Sequence, residues 1–227
     1  DEAAYVGDGE VPLPGADFAG VVTALPKSAD STSPGLAVGD RVFGMCMQPT
    51  GMLRSHVRLH AGTLAKMPDS LSFEEAAHMP MVFLTVEFAL REQAKLQKGE
   101  RLLVHSAAGG VGLAAIQYAQ RVGAEVFATA SAPKHEYLRS LGVQHISTTR
   151  DEDVFGEEMA AMVGDRGVDV VLNSLTSGDY IGKTVGLLAR GGRWIEIGKR
   201  NIWSHEKMAA ERPDVLDARA VGLLELV

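Results

Sequence analysis

Cysteine is almost absent: Cys46 is the only one in 227 residues. A lone thiol closes no internal disulfide and anchors no four-cysteine zinc site, so no metal is expected. Its plain reading is a small buried apolar side chain. Sustained positive charge is missing too. Lys and Arg total 22 against 29 Asp and Glu, a formal net charge of −7, and without a basic run to neutralise phosphates no nucleic-acid partner is expected. No stretch reaches the roughly 18 uninterrupted apolar residues of a membrane helix, and the N-terminus shows neither the basic nor the apolar part of a secretion signal. The expectation is a soluble, cytoplasmic protein with no membrane partner. There is no internal repeat and no low-complexity tract. Both ends look cut, with no convincing opening strand and a final apolar run that lacks a polar cap, so a piece of something longer is expected.

What is present is ordinary core material, 46% hydrophobic residues, enough for one large domain or two small ones. Up to about residue 80 the apolar runs are short and broken by Gly and Pro: "FAGVVTAL", "DRVFGM", "SHVRLH", "TLAKMP". These predict a small β-rich unit, with residues 26–40 as a polar loop. Ser72 is placed to cap "FEEAAHM", and Pro80 interrupts that helix ahead of "MVFLTVEFALREQA".

From residue 101 strands and helices alternate. Predicted strands cover Leu102 to His105, Glu125 to Ala130, His145 to Ser147, Val168 to Asn173 and Arg193 to Gly198, with a sixth in the closing "ARAVGLLELV". Apolar strands separated by helices predict a parallel sheet covered on both faces.

The stretch "LLVHSAAGGVGLAAIQYA" places very little side chain at a strand-to-helix junction. Ala107-x-Gly109-x-x-Gly112 is the dinucleotide-binding arrangement with alanine for its first glycine. Gly109 would let backbone approach a pyrophosphate, Gly112 would let the helix lie close on the strand, and the loop through Gly110 and Val111 would present amides and the positive helix end to the phosphates. Val111, Ala115, Tyr118, Ala119 and Val122 share one helical face and also read as core.

An acid about 20 residues past the glycines would bind a free ribose 2′-hydroxyl. Here the second strand ends "VFATASAPK", with no carboxylate at Thr129, Ala130 or Ser131. Ser131 and Lys134, with Arg150 after the third strand, would instead welcome a 2′-phosphate. NADPH is expected over NADH; the plain alternative for Lys134 and Arg150 is solvated surface charge.

These residues resemble the medium-chain dehydrogenase/reductase superfamily. "PGADFAGVV" and "VGDRVFG" are similar to its catalytic-domain signatures, and "SAAGGVG" to the coenzyme loop of its zinc-free quinone-oxidoreductase branch. Within that branch "AEVFATAS", "RGVDVVLNSL" and "GGRWIEIGKRNIW" resemble the enoyl reductase domains of polyketide and fatty acid synthases. The resemblance implies an α/β fold: a Rossmann-type doubly wound parallel sheet over 85–227, its C-terminal part missing, preceded over 1–84 by part of a β-rich GroES-like catalytic domain. It implies NADPH-dependent reduction of a 2-enoyl thioester carried on an acyl carrier protein, with neighbouring synthase domains as partners and a homodimer left open.

The resemblance also assigns residues. Lys199, in the "GK" motif with Gly198, would face the nicotinamide, stabilise the enolate or act as the acid, the more so if partial burial lowers its pKa. Asn173 and Ser174 would meet the nicotinamide ribose, although Asn173 could equally cap the next helix. Thr85, read as beginning the helix between the two units, would line the cofactor cleft or act as a cap. Three departures stand against the family pattern. Gly222 sits where many members carry an acid, with Asp217 five residues too early to replace it. Phe88 stands where relatives often have tyrosine. The opening strands and a tyrosine-bearing loop are absent. The alternatives are a quinone oxidoreductase, which shares the glycine loop but should lack the "EIGKRNI" context, and, motivated by Gly222 and Phe88, a pseudo-reductase that binds nucleotide or only scaffolds a synthase.

Overall fold

The computed structural model describes residues 14–26, 35–46 and 51–219. The chain divides into two compact units, residues 1–82 and 83–226.

In the first unit β1 (Asp17–Val21), β2 (Arg41–Met45) and β3 (Leu64–Lys66) form an antiparallel sheet in the order β1-β2-β3. Short strands with Gly and Pro between them suit this meander. "SHVRLH", expected to contribute, runs without regular structure. Ser72 caps α1 (Phe73–Ala76) in a capping box: its hydroxyl accepts from the Glu75 amide while the Glu75 carboxylate accepts from the Ser72 amide. Pro80 opens α2 (Pro80–Val86), a position where its missing N–H costs nothing. Thr85 lies at the penultimate residue of α2 rather than at its start, so it does not cap that helix's N-terminus. The chain then widens into a π-helical segment, Glu87–Gln93, that carries Phe88.

The second unit is α/β. Its six parallel strands are β4 (Arg101–Val104), β5 (Glu125–Ala130), β6 (His145–Thr148), β7 (Val168–Asn173), β8 (Leu188–Glu196) and β9 (Leu216–Arg219). Their order in the sheet is β6-β5-β4-β7-β8-β9. The crossovers carry α3 (Gly110–Val122), α4 (His135–Ser140), α5 (Glu152–Val163), α6 (Tyr180–Gly186) and α7 (His205–Glu211). Strands β4 and β7 bury nearly every side chain because helices cover both faces. Phe127, Phe155, Met159, Val171 and Trp194 belong to one buried cluster between sheet and helices.

Two boundaries differ from the sequence expectation. Strand β8 starts at Leu188 rather than Arg193, because Gly191 and Gly192 lie inside the strand beside a register shift against β7 instead of forming a turn. It ends at Glu196, which leaves Gly198 and Lys199 in the following loop. The last strand lies at Leu216–Arg219; Gly222 and the rest of the closing run fall outside the described residues. Among the described residues no helix is long and apolar enough to cross a membrane.

Candidate functional site

The order in which successive strands are added reverses between β4 and β7, and loops that diverge at such a point leave a crevice beyond the carboxyl ends of the strands. A cleft of about 370 Å³ lies there. It is lined by Ser106, Ala108 and Gly109 after β4, by Ala130, Ser131 and Lys134 at the end of β5, by Thr149 and Arg150 after β6, and by Leu175 and Ser177 after β7.

The two glycines of the junction do different work. A Cβ on Gly112 would stand 2.5 Å from the Ala107 Cα and carbonyl oxygen, so glycine is demanded by the contact of α3 with the turn. A Cβ on Gly109 would meet only the Ser106 carbonyl, at 3.3 Å, and its φ of −87° is open to any residue. A methyl group at 109 needs that carbonyl to give by only a few tenths of an ångström, and the backbone conformation there does not call for glycine. What a side chain there would obstruct is the cleft itself. Helix α3 leaves its first amides, those of Gly110, Val111 and Gly112, without intrahelical acceptors, and Gly109 provides no side-chain cap. Three donors and the positive helix end are therefore available to an anion.

Ser131, Lys134 and Arg150 converge on the same cleft from two different loops. Neither Lys134 nor Arg150 forms an ion pair with a carboxylate among the described residues. No acidic residue lines the cleft.

Other candidates stand apart from its lining. Ala107 is fully buried, and its amide donates to the Thr129 carbonyl. The Thr129 side chain is also fully buried and turned inward: its Oγ1 accepts from the Ser106 amide at 3.2 Å and lies 3.1 Å from His105 Nδ1. Asn173 is buried, with Oδ1 accepting from the Leu175 amide and Nδ2 donating to Glu196 at 2.7 Å. It caps no helix; α6 begins after Asp179. Ser174 donates to the His105 carbonyl, tying the ends of β7 and β4 together at the reversal point. The Glu196 carboxylate also accepts from the Gly198 amide at 2.7 Å. Burial raises the Glu196 carboxyl above its ordinary range, although the Asn173 and Gly198 N–H groups oppose that. Lys199 follows at the carboxyl edge of β8 and is exposed, not partly buried. Thr85 is half-buried in α2.

Sequence reasoning missed Ser106, Ala108, Thr149, Leu175 and Ser177 as lining, and His105, Thr184 and Glu196 as buried polar groups. The loop residues could have been found from the strand order, since each follows the end of β4, β6 or β7. The His105 to Thr184 contact spans 79 positions and leaves no local signal.

Burial pushes the His105 imidazole down to about 3, well below its ordinary 6.5. The unfolded chain therefore binds more protons between those values. The stability associated with the neutral ring is complete above pH 6.5 and is lost as pH falls toward 3, by at most about 1.4 kcal/mol per pH unit. Urea unfolding across pH 7 to 4.5 should show this slope, and His105→Gln, which cannot titrate, should be shallower by the same amount.

The profile of the zinc-binding dehydrogenase family matches residues 110–221. The chain has one cysteine, and among the described residues no group of three His, Cys, Asp or Glu side chains could hold a metal, so the described residues offer no zinc site. The pikromycin polyketide synthase component PikAII of Streptomyces venezuelae is 45% identical over 208 residues, 89% of this chain and 5% of that protein. This chain thus spans a small fraction of its curated relatives. The crystal structure of CurK enoyl reductase superposes with a TM-score of 0.82 at 40% identity, covering 92% of this chain and 64% of that one. A putative enoyl reductase domain of a polyketide synthase is also 40% identical, with a TM-score of 0.54, and the match covers 61% of this chain and 77% of that one. With its six-stranded parallel sheet and glycine turn, the chain belongs to the polyketide synthase enoyl reductase domains of the medium-chain dehydrogenase/reductase superfamily, a family of oxidoreductases.

Proposed function

We propose that this chain is the nucleotide-binding part, with a portion of the substrate-binding part, of an NADPH-dependent enoyl reductase that acts on a 2-enoyl thioester carried by an acyl carrier protein, among neighbouring domains of a polyketide synthase. Residues 1–84 are taken as part of a GroES-like catalytic domain and 85–227 as the NADP-binding domain. The observation that carries the reading is the cleft at the carboxyl ends of β4 to β7, where a glycine whose backbone conformation any residue could adopt adjoins the first amides of α3 and two cations.

The amides of Gly110, Val111 and Gly112 are suited to hold the pyrophosphate. Ser131, Lys134 and Arg150 are suited to a 2′-phosphate, and with no acid in the lining nothing repels it. When bound, the nicotinamide supplies a hydride to C3 of the enoyl group. Hydride transfer would leave negative charge on the thioester oxygen and on C2, Lys199 at the edge of β8 is the group assigned to stabilise it, and a proton reaching C2 would complete the reduction. Asn173 and Glu196 hold the β7 and β8 loops in register beneath that position, through the bonds to Leu175 and Gly198.

The full-length protein should reduce crotonyl thioesters with NADPH and leave quinones unreduced. Quinone turnover without thioester turnover would replace this reading with a quinone oxidoreductase. NADPH should bind at least about tenfold more tightly than NADH. Lys134→Ala and Arg150→Ala should each weaken NADPH about three- to tenfold while leaving NADH unchanged, the expected size of one charge-assisted contact. Equal loss for both nucleotides would remove these cations from the 2′-phosphate.

A further inference from the structure

His105 lies 3% exposed between two buried threonines, with the Phe155 ring edge-on at 5.4 Å. Its Nε2 is 3.0 Å from Thr184 Oγ1 and its Nδ1 is 3.1 Å from Thr129 Oγ1. The direction of each bond follows from the far end of the network. Thr184 Oγ1 is 2.6 Å from the Tyr180 carbonyl oxygen, which has no proton to give, so the Thr184 hydroxyl donates there. With its one proton committed, Thr184 can only accept from the imidazole, and Nε2 must carry hydrogen.

At the other end, Thr129 Oγ1 already accepts from the Ser106 amide. Its own proton is satisfied only by an unprotonated Nδ1. The Nδ1–H tautomer would set Nε2 against the Thr184 oxygen lone pair to lone pair, and would leave the Thr129 proton without an acceptor. All four bonds therefore point one way, from the Ser106 amide through Thr129, His105 and Thr184 to Tyr180, an order in which each bond strengthens the next.

The network ends on a strained residue. Ser106 has φ of +52°, a region that L residues other than Gly, Asn and Asp seldom occupy. Its carbonyl accepts from the Gly109 amide, and Ser106 itself lines the cleft. We propose that His105 is a positioning residue: a neutral imidazole, fixed as the Nε2–H tautomer by Thr184 and Thr129, that holds Ser106 in its left-handed turn and so shapes the loop that receives the dinucleotide. The proposal deepens the nucleotide reading of the cleft and rests on it for the last step.

Nitrogen NMR of the 227-residue chain at pH 7 should show His105 with hydrogen on Nε2 and none on Nδ1, and amide exchange should show Ser106 protected. An Nδ1–H ring, a charged ring or an unprotected Ser106 amide overturns the proposal. Thr129→Val keeps the shape but removes both bonds. It should fold with a cooperative melt, keep hydrogen on Nε2 because Thr184 still requires it, lose the protection of the Ser106 amide, and bind NADPH about tenfold more weakly, with Thr129→Ser restoring the protection and the affinity. A valine variant that binds NADPH as the parent does also overturns the proposal. If the valine variant does not fold, the tautomer and the Ser106 protection in the unaltered chain decide the question. If the unaltered chain binds neither NADPH nor NADH, the nucleotide reading fails and the loop-shaping step with it, while those same two measurements still test the tautomer and its hold on Ser106.

Discussion

Gly112→Ala should both destabilise the second unit and weaken nucleotide binding about 100-fold, whereas Gly109→Ala should fold normally and lose only nucleotide affinity. The difference lies in what the new methyl group meets. At 112 it would sit 2.5 Å from the Ala107 Cα and carbonyl oxygen and 2.6 Å from the carbonyl carbon. These are backbone atoms with no rotamer to escape into, and Ala107 is itself pinned by its bond to the Thr129 carbonyl. Relief requires α3 to move outward by about an ångström, with a packing cost of about 1–3 kcal/mol. The amides at the start of α3 move with it, and misplacement on that scale lowers function by about 100-fold.

At 109 the methyl group meets one carbonyl oxygen at 3.3 Å, a contact that a few tenths of an ångström relieve. Thermal melts and NADPH titrations of both variants check the pair. A Gly112→Ala protein with the parent's melting temperature would show that α3 does not press on the turn as described. A Gly109→Ala protein with undiminished affinity would remove the phosphate from this loop.

The same contrast shows what could be read from sequence. The strand-turn-helix junction was legible because small residues at fixed offsets between an apolar run and an alanine-rich segment mark a close turn from strand into helix. Strands β5 and β7 were legible end to end, since a strand buried on both faces is a continuous apolar run bounded by polar turns. Strand β8 was not, because Gly191 and Gly192 carry a turn's composition while the sheet holds them in an irregular strand. The cations of the cleft could be found from the two strand ends that carry them, and Ser131, Lys134 and Arg150 do meet there.

The direction of a polar side chain at a strand end was not legible. Thr129 and Asn173 stand where a cofactor contact was expected, yet both turn inward to partners 24 and 23 positions away in sequence, His105 and Glu196. Nothing local marks either partner. Only the sheet order, which sets β4 beside both β5 and β7 and β7 beside β8, brings these groups together.

Lys199→Ala in the full-length protein should lower turnover of an enoyl thioester by about 100-fold or more and leave NADPH affinity within about threefold of the parent. An ammonium beside the thioester oxygen gains most when that oxygen becomes negative, so its removal raises the barrier more than it weakens the ground state; the loss of one such electrostatic group costs about 100- to 1000-fold. The pyrophosphate and 2′-phosphate contacts proposed for the cleft lie at the ends of β4, β5 and β6, two strands or more from the end of β8, and they should be indifferent to residue 199. Asp217 offers no substitute for the acid that relatives place near this lysine: its carboxylate is bonded to His205 Nδ1 at 2.6 Å. Lys199→Arg keeps the charge but spreads it over a planar fork, and should recover only part of the rate. Equal turnover in Lys199→Ala and the parent would take the catalytic role away from this residue. Tight NADPH binding with no thioester reduction by the parent itself would identify a nucleotide-binding domain without turnover.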